Sequence, residues 1–368
     1  MNDSDQVRPD YGGACVTNIV PALVDHPDAG RGWLPAVATD ADRVVLLVLD
    51  GLGWHQLEAN RAAMPTVAAM AGGAVSTVVP STTATALTSI VTGTPPGEHG
   101  VVGYRIDIGG GEVLNALRWR TPAGDARERI VPEDFAEAEP FGGRATQVIS
   151  PVAFTRSGLT RTHLRDNPYR GYHAASSISV EAADAIGSGE TFVYAYYDGV
   201  DKIAHVHGLG EHHRRELVAV DRMVADLMEA LPSGVAVVVT ADHGLVDCDT
   251  ELVALDPAVT DGVRYQSGEA RLRWLHTRPG AAEDVADAAR ATLGDDAWVW
   301  TREEFVAEGL LGPVVVPTAR ARLGDVAVAA RGRVGFADGD DAVSTRLFGR
   351  HGSLTPGEML VPVVAAVT

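Results

Sequence analysis

Residues 44–53 read VVLLVLDGLG. Six apolar residues without polar alternation are the pattern of a strand buried on both faces, and the run is too short for a buried helix. It ends at Asp50, where a carboxylate can reach into a crevice, and Gly51 and Gly53 allow close backbone passage. A second run, VAVVVTADHG at 235–244, follows the same plan and delivers Asp242 and His243 beyond its strand. Ala145–Ile149, Thr191–Tyr196 and Val361–Val367 read as further strands. Thr83–Val91 reads as a helix, as does Glu211–Leu231, where Leu217, Val220, Val224, Leu227 and Leu231 recur at helical spacing. Strands alternating with helices predict an α/β sandwich around a mostly parallel sheet, with its site at the strand ends.

Working outward, the first 40 residues are rich in Pro, Gly and Asp and are expected to drape over the fold. The stretch 252–345 has another character. Arg271–His276 alternates like a strand, Ala281–Leu293 is an amphipathic helix, and Ala297–Thr301 is a short strand. Asp325–Ala330 and Arg333–Phe336 suggest a glycine-linked two-stranded piece. The expected organisation is a core of residues 1–251 and 346–368, with a small α+β cap of residues 252–345 inserted into it.

Of the 368 residues, 46% are hydrophobic and 21% charged, a balance that suits a globular protein with a substantial core. Thirty basic residues against 49 acidic ones leave −19. Such a chain is a poor nucleic-acid packager or electrostatic membrane binder. A small phosphorylated substrate held through bound metal is compatible with that charge, because the ion supplies the local positive field. The two cysteines, Cys15 and Cys248, cannot build a disulfide framework. The acidic N-terminus lacks the apolar segment of a secretory signal, and no apolar run reaches membrane-spanning length, so the expected location is the cytoplasm.

Three local clusters share ligand chemistry. Asp50 closes the first strand. Asp201 and His205, in DKIAH, fall on one face of a helix at i,i+4 spacing. Asp242 and His243 follow the second strand, and late in the chain His351 adds another imidazole. Together they form a mixed oxygen and nitrogen set suited to zinc. Residues 79–104, VPSTTATALTSIVTGTPPGEHGVVGY, place hydroxyls at the start of a helix. A threonine there can cap the helix, or it can attack phosphorus while helix amides and a metal hold the phosphoryl oxygens.

These pieces, in this order, resemble the alkaline phosphatase superfamily, specifically its type I phosphodiesterase/nucleotide pyrophosphatase branch. The resemblance rests on LDGLG, the PSTTAT…TG…P..HG block, DKIAH, TADHG and the terminal HGSLTPGEMLVP, spanning residues 44 to 368. It implies a three-layer α/β/α sandwich with an inserted cap. It also implies Thr83 as nucleophile, one zinc on Asp50, Asp242 and His243, and a second on Asp201, His205 and His351. The implied activity is hydrolysis of phosphate diesters or nucleotide pyrophosphate-type bonds through a phosphothreonine intermediate. A phosphomonoesterase or phosphotransferase on the same site, and a metal-stabilised binding module without turnover, are the alternatives.

One departure concerns the substrate. Where the branch carries an asparagine shortly after His99-Gly100, this chain has Tyr104. A tyrosine offers one O–H donor on a longer ring and could replace the amide contact only with altered geometry. Tyr104 is therefore a candidate substrate-binding residue and a reason to question which ester is preferred. Arg105, Arg118 and Arg350 are candidate clamps for a monoester. The sole lysine, Lys202, leaves the chain poorly equipped for the lysine grip on a carboxylate that phosphonoacetate-hydrolase relatives use.

Overall fold

The computed structural model describes residues 5–25, 27–30, 32–248, 252–341 and 346–368. The opening stretch wraps the core, and it contributes to it as well. Cys15, Val16, Ile19 and Val20 are buried against the main sheet, and Ile19–Val24 forms a short helix.

The apolar run becomes β1 (Val44–Leu49), every residue of it buried. β2 (Ala71–Ser76) follows, a glycine-rich strand without an apolar signature. The helix Thr83–Thr92 comes next, its first nine residues all buried. The chain then leaves the main sheet to build a small antiparallel sheet from β3 (Arg105–Asp107), β4 (Val113–Asn115), β5 (Arg120–Thr121) and β6 (Gly124–Asp125). It returns with β7 (Gln147–Pro151), β8 (Tyr169–Tyr172) and β9 (Phe192–Tyr197). Helices Gly199–His207 and Glu211–Ala230 lead to β10 (Ala236–Thr240). In the 20-residue helix the predicted residues Leu217, Val220, Val224 and Leu227 are the buried stripe.

Beyond the short β11 (Val246–Asp247), a second four-stranded sheet forms from β12 (Val263–Glu269), β13 (Leu272–Thr277), β14 (Ala297–Thr301) and β15 (Val326–Ala330), in the order β12-β13-β15-β14. The helix Ala282–Leu293 packs on it. Residues Arg333–Phe336 do not form the strand expected of them. Phe336 makes only an isolated bridge to Val253, its backbone drawn aside to cap the β12–β13 hairpin through Ala270. The chain closes with β16 (Gly349–Arg350) against β11 and β17 (Leu360–Val367) in the main sheet.

The main sheet has the order β2-β17-β10-β1-β9-β7-β8. β1 pairs parallel with both β9 and β10, and only β17 runs against its neighbours. This is the α/β architecture expected: a large, mostly parallel sheet flanked by helices. Because β9, β1 and β10 lie side by side in parallel, their C-terminal ends open onto one crevice. That geometry joins residues as far apart in the chain as Asp50 and His243.

Candidate active site

Asp50 follows β1, Asp242 and His243 follow β10, and Asp201 and His205 sit on the helix that follows β9. The Asp201 N–H donates to the Asp50 carbonyl at 3.0 Å, which locks the helix to the strand end. Gly51, at φ 78°, makes that approach possible: a Cβ there would stand 3.0 Å from the Asp201 Cβ. His351 arrives with β16, which pairs with β11 just beyond His243. All six predicted ligand residues therefore converge.

Their geometry is close. His205 Nε2 lies 3.1 Å from one Asp201 oxygen, and His351 Nε2 lies 3.8 Å from the other. His243 Nε2 lies 3.5 Å from Asp50 and 3.4 Å from Asp242. The His243 and His351 rings stack at 3.6 Å. Asp201, His205 and His351 hold ligand atoms within 4.8 Å of one another, and so do Asp50, Asp201 and His243. Asp201 thus stands between two clusters, and Asp242 adjoins the second through His243.

Two observations show that this set suits cations. Oδ1 of Asp50, Oδ1 of Asp201 and Oδ2 of Asp242 are buried without a hydrogen-bond partner among the described residues. Buried anionic oxygens left bare are costly unless a cation meets them. In addition, each imidazole turns its Nδ1 to a backbone carbonyl: His205 to Gly349 at 2.7 Å, His351 to Ser81 at 2.9 Å, His243 to Gly244 at 3.1 Å. A carbonyl only accepts, so Nδ1 carries hydrogen and Nε2 is the nitrogen whose lone pair is left to meet a cation. The Tyr196 hydroxyl donates to the other Asp50 oxygen, and the Thr77 hydroxyl to the Asp242 carbonyl, orienting both arms. Burial, then the Asp242 and Asp201 carboxylates, hold the Asp50 carboxyl well above its usual range. Burial works against charge at His205, yet Asp201 lifts it to about 9.

The Thr83 hydroxyl opens the helix Thr83–Thr92 and lies 3.1 Å from His243 Nε2. Thr82 and Thr83 line a cavity of about 340 Å³ together with Asp50, Asp201, His205 and His351. Thr85 is fully buried outside it. Tyr104, Glu269 and Asp341 also line it, and Leu87, Leu117, Phe154 and Leu159 give the cavity an apolar wall surface. Of the three candidate clamps, Arg118 and Arg350 reach this cavity, whereas Arg105 is buried in an ion pair with Asp338. Lys202 lines the cavity but pairs with Asp198. His207 and His212 stack on each other away from the ligand clusters.

Sequence reading missed Glu269. It ends β12 and enters the cavity beside Thr82, with Oε1 buried and unpartnered among the described residues. Burial pushes its carboxyl up to about 8. Nothing local marks it, because only the docking of the second sheet brings it to Thr82.

The model of the type I phosphodiesterase / nucleotide pyrophosphatase family matches residues 44–354. The chain belongs to that family. It is an enzyme of the phosphodiesterase class, and the match begins at β1 and runs past His351, so it spans every candidate residue. No curated protein sequence matches the chain. Solved structures share its fold at low identity. Murine ectonucleotide pyrophosphatase / phosphodiesterase 5 superposes with a TM-score of 0.65 at 16% identity, covering 87% of each chain. The human protein gives 0.64 at 17%, covering 88% of this chain and 87% of that one. Phosphonoacetate hydrolase from Sinorhizobium meliloti 1021, in complex with phosphonoformate, gives 0.63 at 17%, with 88% and 90% covered.

Proposed function

We propose that the enzyme hydrolyses phosphate diesters or nucleotide pyrophosphate-type bonds, with Thr83 as nucleophile beside two zinc ions. The observation that carries this reading is the Thr83 hydroxyl, held at a helix N-terminus 3.1 Å from His243 and lining the same cavity as Asp50, Asp201, His205 and His351. Asp50, Asp242 and His243 would hold one ion, and Asp201, His205 and His351 the other. Bound zinc supplies Lewis acidity, lowering the hydroxyl's pKa and neutralising phosphoryl charge. The chain itself positions the reaction. The helix start points backbone N–H groups toward the phosphoryl oxygens. Thr83 Oγ1 attacks phosphorus in line, the bond to the leaving oxygen breaks, and water then cleaves the phosphothreonine to regenerate the hydroxyl. Tyr104 contacts a non-bridging oxygen, and the apolar wall receives the organic group.

The relatives' ligands favour small phosphorylated substrates. An inactive threonine-to-alanine form of the murine protein is known in complex with AMP, and the hydrolase with phosphonoacetate. Residues 252–345 serve as a cap subdomain whose sheet carries Glu269 to the cavity. A monoesterase or phosphotransferase is the second reading, favoured by Arg118 and Arg350 at the cavity. Rates on bis-p-nitrophenyl phosphate and p-nitrophenyl phosphate, with elemental analysis of the same sample, separate the readings. Faster diester turnover near two equivalents of zinc is expected; metal-replete protein inert to both esters would overturn the proposal.

A further inference from the structure

We propose that Asn115 is a positioning residue that forces the Tyr104 hydroxyl to act as a hydrogen-bond donor to the substrate's phosphoryl oxygen. The inference rests on the reading of Tyr104 given above and explains how a tyrosine can stand where the resembling family has an asparagine. β3 and β4 are joined by a tight turn through Gly109–Gly111, and Arg105 pairs with Asn115 across the hairpin. The Ala116 N–H donates to the Tyr104 carbonyl at 2.8 Å, so Tyr104 and Asn115 are held side by side.

The direction of each hydrogen bond follows from what each atom can do. The Arg118 backbone N–H, only a donor, reaches Asn115 Oδ1 at 3.0 Å. That contact fixes the amide's orientation and presents Nδ2 to the Tyr104 oxygen at 2.7 Å. Nδ2 can only donate, so Tyr104 must accept there. Its own proton is turned elsewhere, and among the described residues no other group hydrogen-bonds that hydroxyl. Tyr104 lines the cavity that holds Thr83, so the proton is available to a phosphoryl oxygen there. The amide thus acts on the substrate indirectly, through the phenol.

Asn115→Asp tests this with almost no change of shape. A carboxylate accepts from both Arg118 N–H and Tyr104 O–H, capturing the proton and turning the phenol's lone pairs toward the cavity. The assay is calorimetric binding of inorganic phosphate to metal-replete protein, alongside kcat/KM on bis-p-nitrophenyl phosphate. Tyr104→Phe and Asn115→Asp should each weaken both about tenfold, the scale of one lost hydrogen bond. The double variant should be no worse than Tyr104→Phe alone. Equal loss from Asn115→Asp in the Tyr104→Phe background would mean that charge alone acts, and would overturn the relay. So would unchanged phosphate affinity in Asn115→Asp. If that variant melts early, Asn115→Ala replaces it, with a smaller loss expected that vanishes in the Tyr104→Phe background. Should wild-type enzyme bind phosphate but not cleave the diester, the proposed reaction falls, while phosphate affinities still decide the relay.

Discussion

Arg271 and Glu358 form a fully buried bidentate ion pair, Nε to Oε1 at 3.0 Å and Nη2 to Oε2 at 2.7 Å. Arg271 lies in the hairpin turn two residues beyond Glu269, and Glu358 lies in the short helix Pro356–Met359 that follows His351. One contact therefore fixes the second sheet against the segment that delivers a candidate metal ligand. The Ser353 N–H and the Thr355 hydroxyl also donate to Glu358, and Arg271 donates to the Val334 carbonyl, so the charges are well satisfied.

Breaking that pair from one side leaves an uncompensated buried charge. Arg271→Met is expected to destabilise the protein by about 3–5 kcal/mol. Urea denaturation at neutral pH measures it. A loss under about 1 kcal/mol, the range of an exposed ion pair, would show that the hairpin is held by other contacts.

Thr83, Thr82 and Thr85 are three neighbouring hydroxyls with different surroundings. Thr83→Ala should cut turnover by orders of magnitude and abolish a covalent phosphoenzyme while zinc is largely retained. Thr83→Ser keeps the hydroxyl and should keep some activity, losing the methyl that restricts its rotamer. Thr82→Ala and Thr85→Ala should be far milder. Acid quench of labelled substrate followed by peptide mapping reads the result, and label found on Thr82 or Thr85 would sink the assignment.

Asp242→Asn should lower zinc occupancy and turnover and leave a folded core, because a neutral amide is a poorer ligand than a carboxylate. Metal removal by a chelator should lower the melting temperature of the wild-type protein, since Asp50, Asp201 and Asp242 then face one another without a cation. The same treatment should cost Asp242→Asn less. Equal zinc content in the two proteins would remove Asp242 from the ligand set.

Acid sensitivity has a component outside the site. Val101 N–H donates to His99 Nδ1 at 3.0 Å, so Nε2 carries the hydrogen that bonds Ser89 at 2.8 Å. Burial, with Arg322 beside it, holds His99 down to about 3. An unfolded imidazole titrates near 6.5, so below that pH the unfolded chain binds a proton that the folded chain refuses. Stability should fall as pH drops from about 6.5 toward 3, by up to about 1.4 kcal/mol per pH unit from this residue. His99→Gln should be less stable near neutrality and lose stability less steeply in acid. Denaturation midpoints across this range, compared as differences so that metal release cancels, check the slope.

The strands at β1 and β10, the long helix at 211–230 and all six ligand candidates were legible in the sequence. Buried parallel strands write themselves as unbroken apolar runs, and a site at strand ends puts its residues immediately after them. Asp50, Asp242 and His243 could therefore be read from local pattern alone. β2 was hidden because AGGAVS buries little, and its place is set by pairing with β17 at the other end of the chain. The small sheet β3–β6 was equally silent, its strands two or three residues long and defined only by one another.

What only the tertiary structure decided are relations between residues with no local signature. Glu269 became part of the cavity through the docking of β12 and β13, held by the pair of Arg271 with Glu358, two residues 87 positions apart in sequence. Asp201 proved to stand between both ligand clusters, a consequence of the 3.0 Å contact between its backbone and Asp50. Tyr104 was visible as a substituted residue, but its hydrogen-bonding sense depends on an amide 11 residues away across a hairpin. Residue type and spacing determine which atoms can bind a metal or attack phosphorus. Which of those atoms are left without partners, and in which direction a hydroxyl donates, is settled only when the chain closes and every other hydrogen bond has been taken.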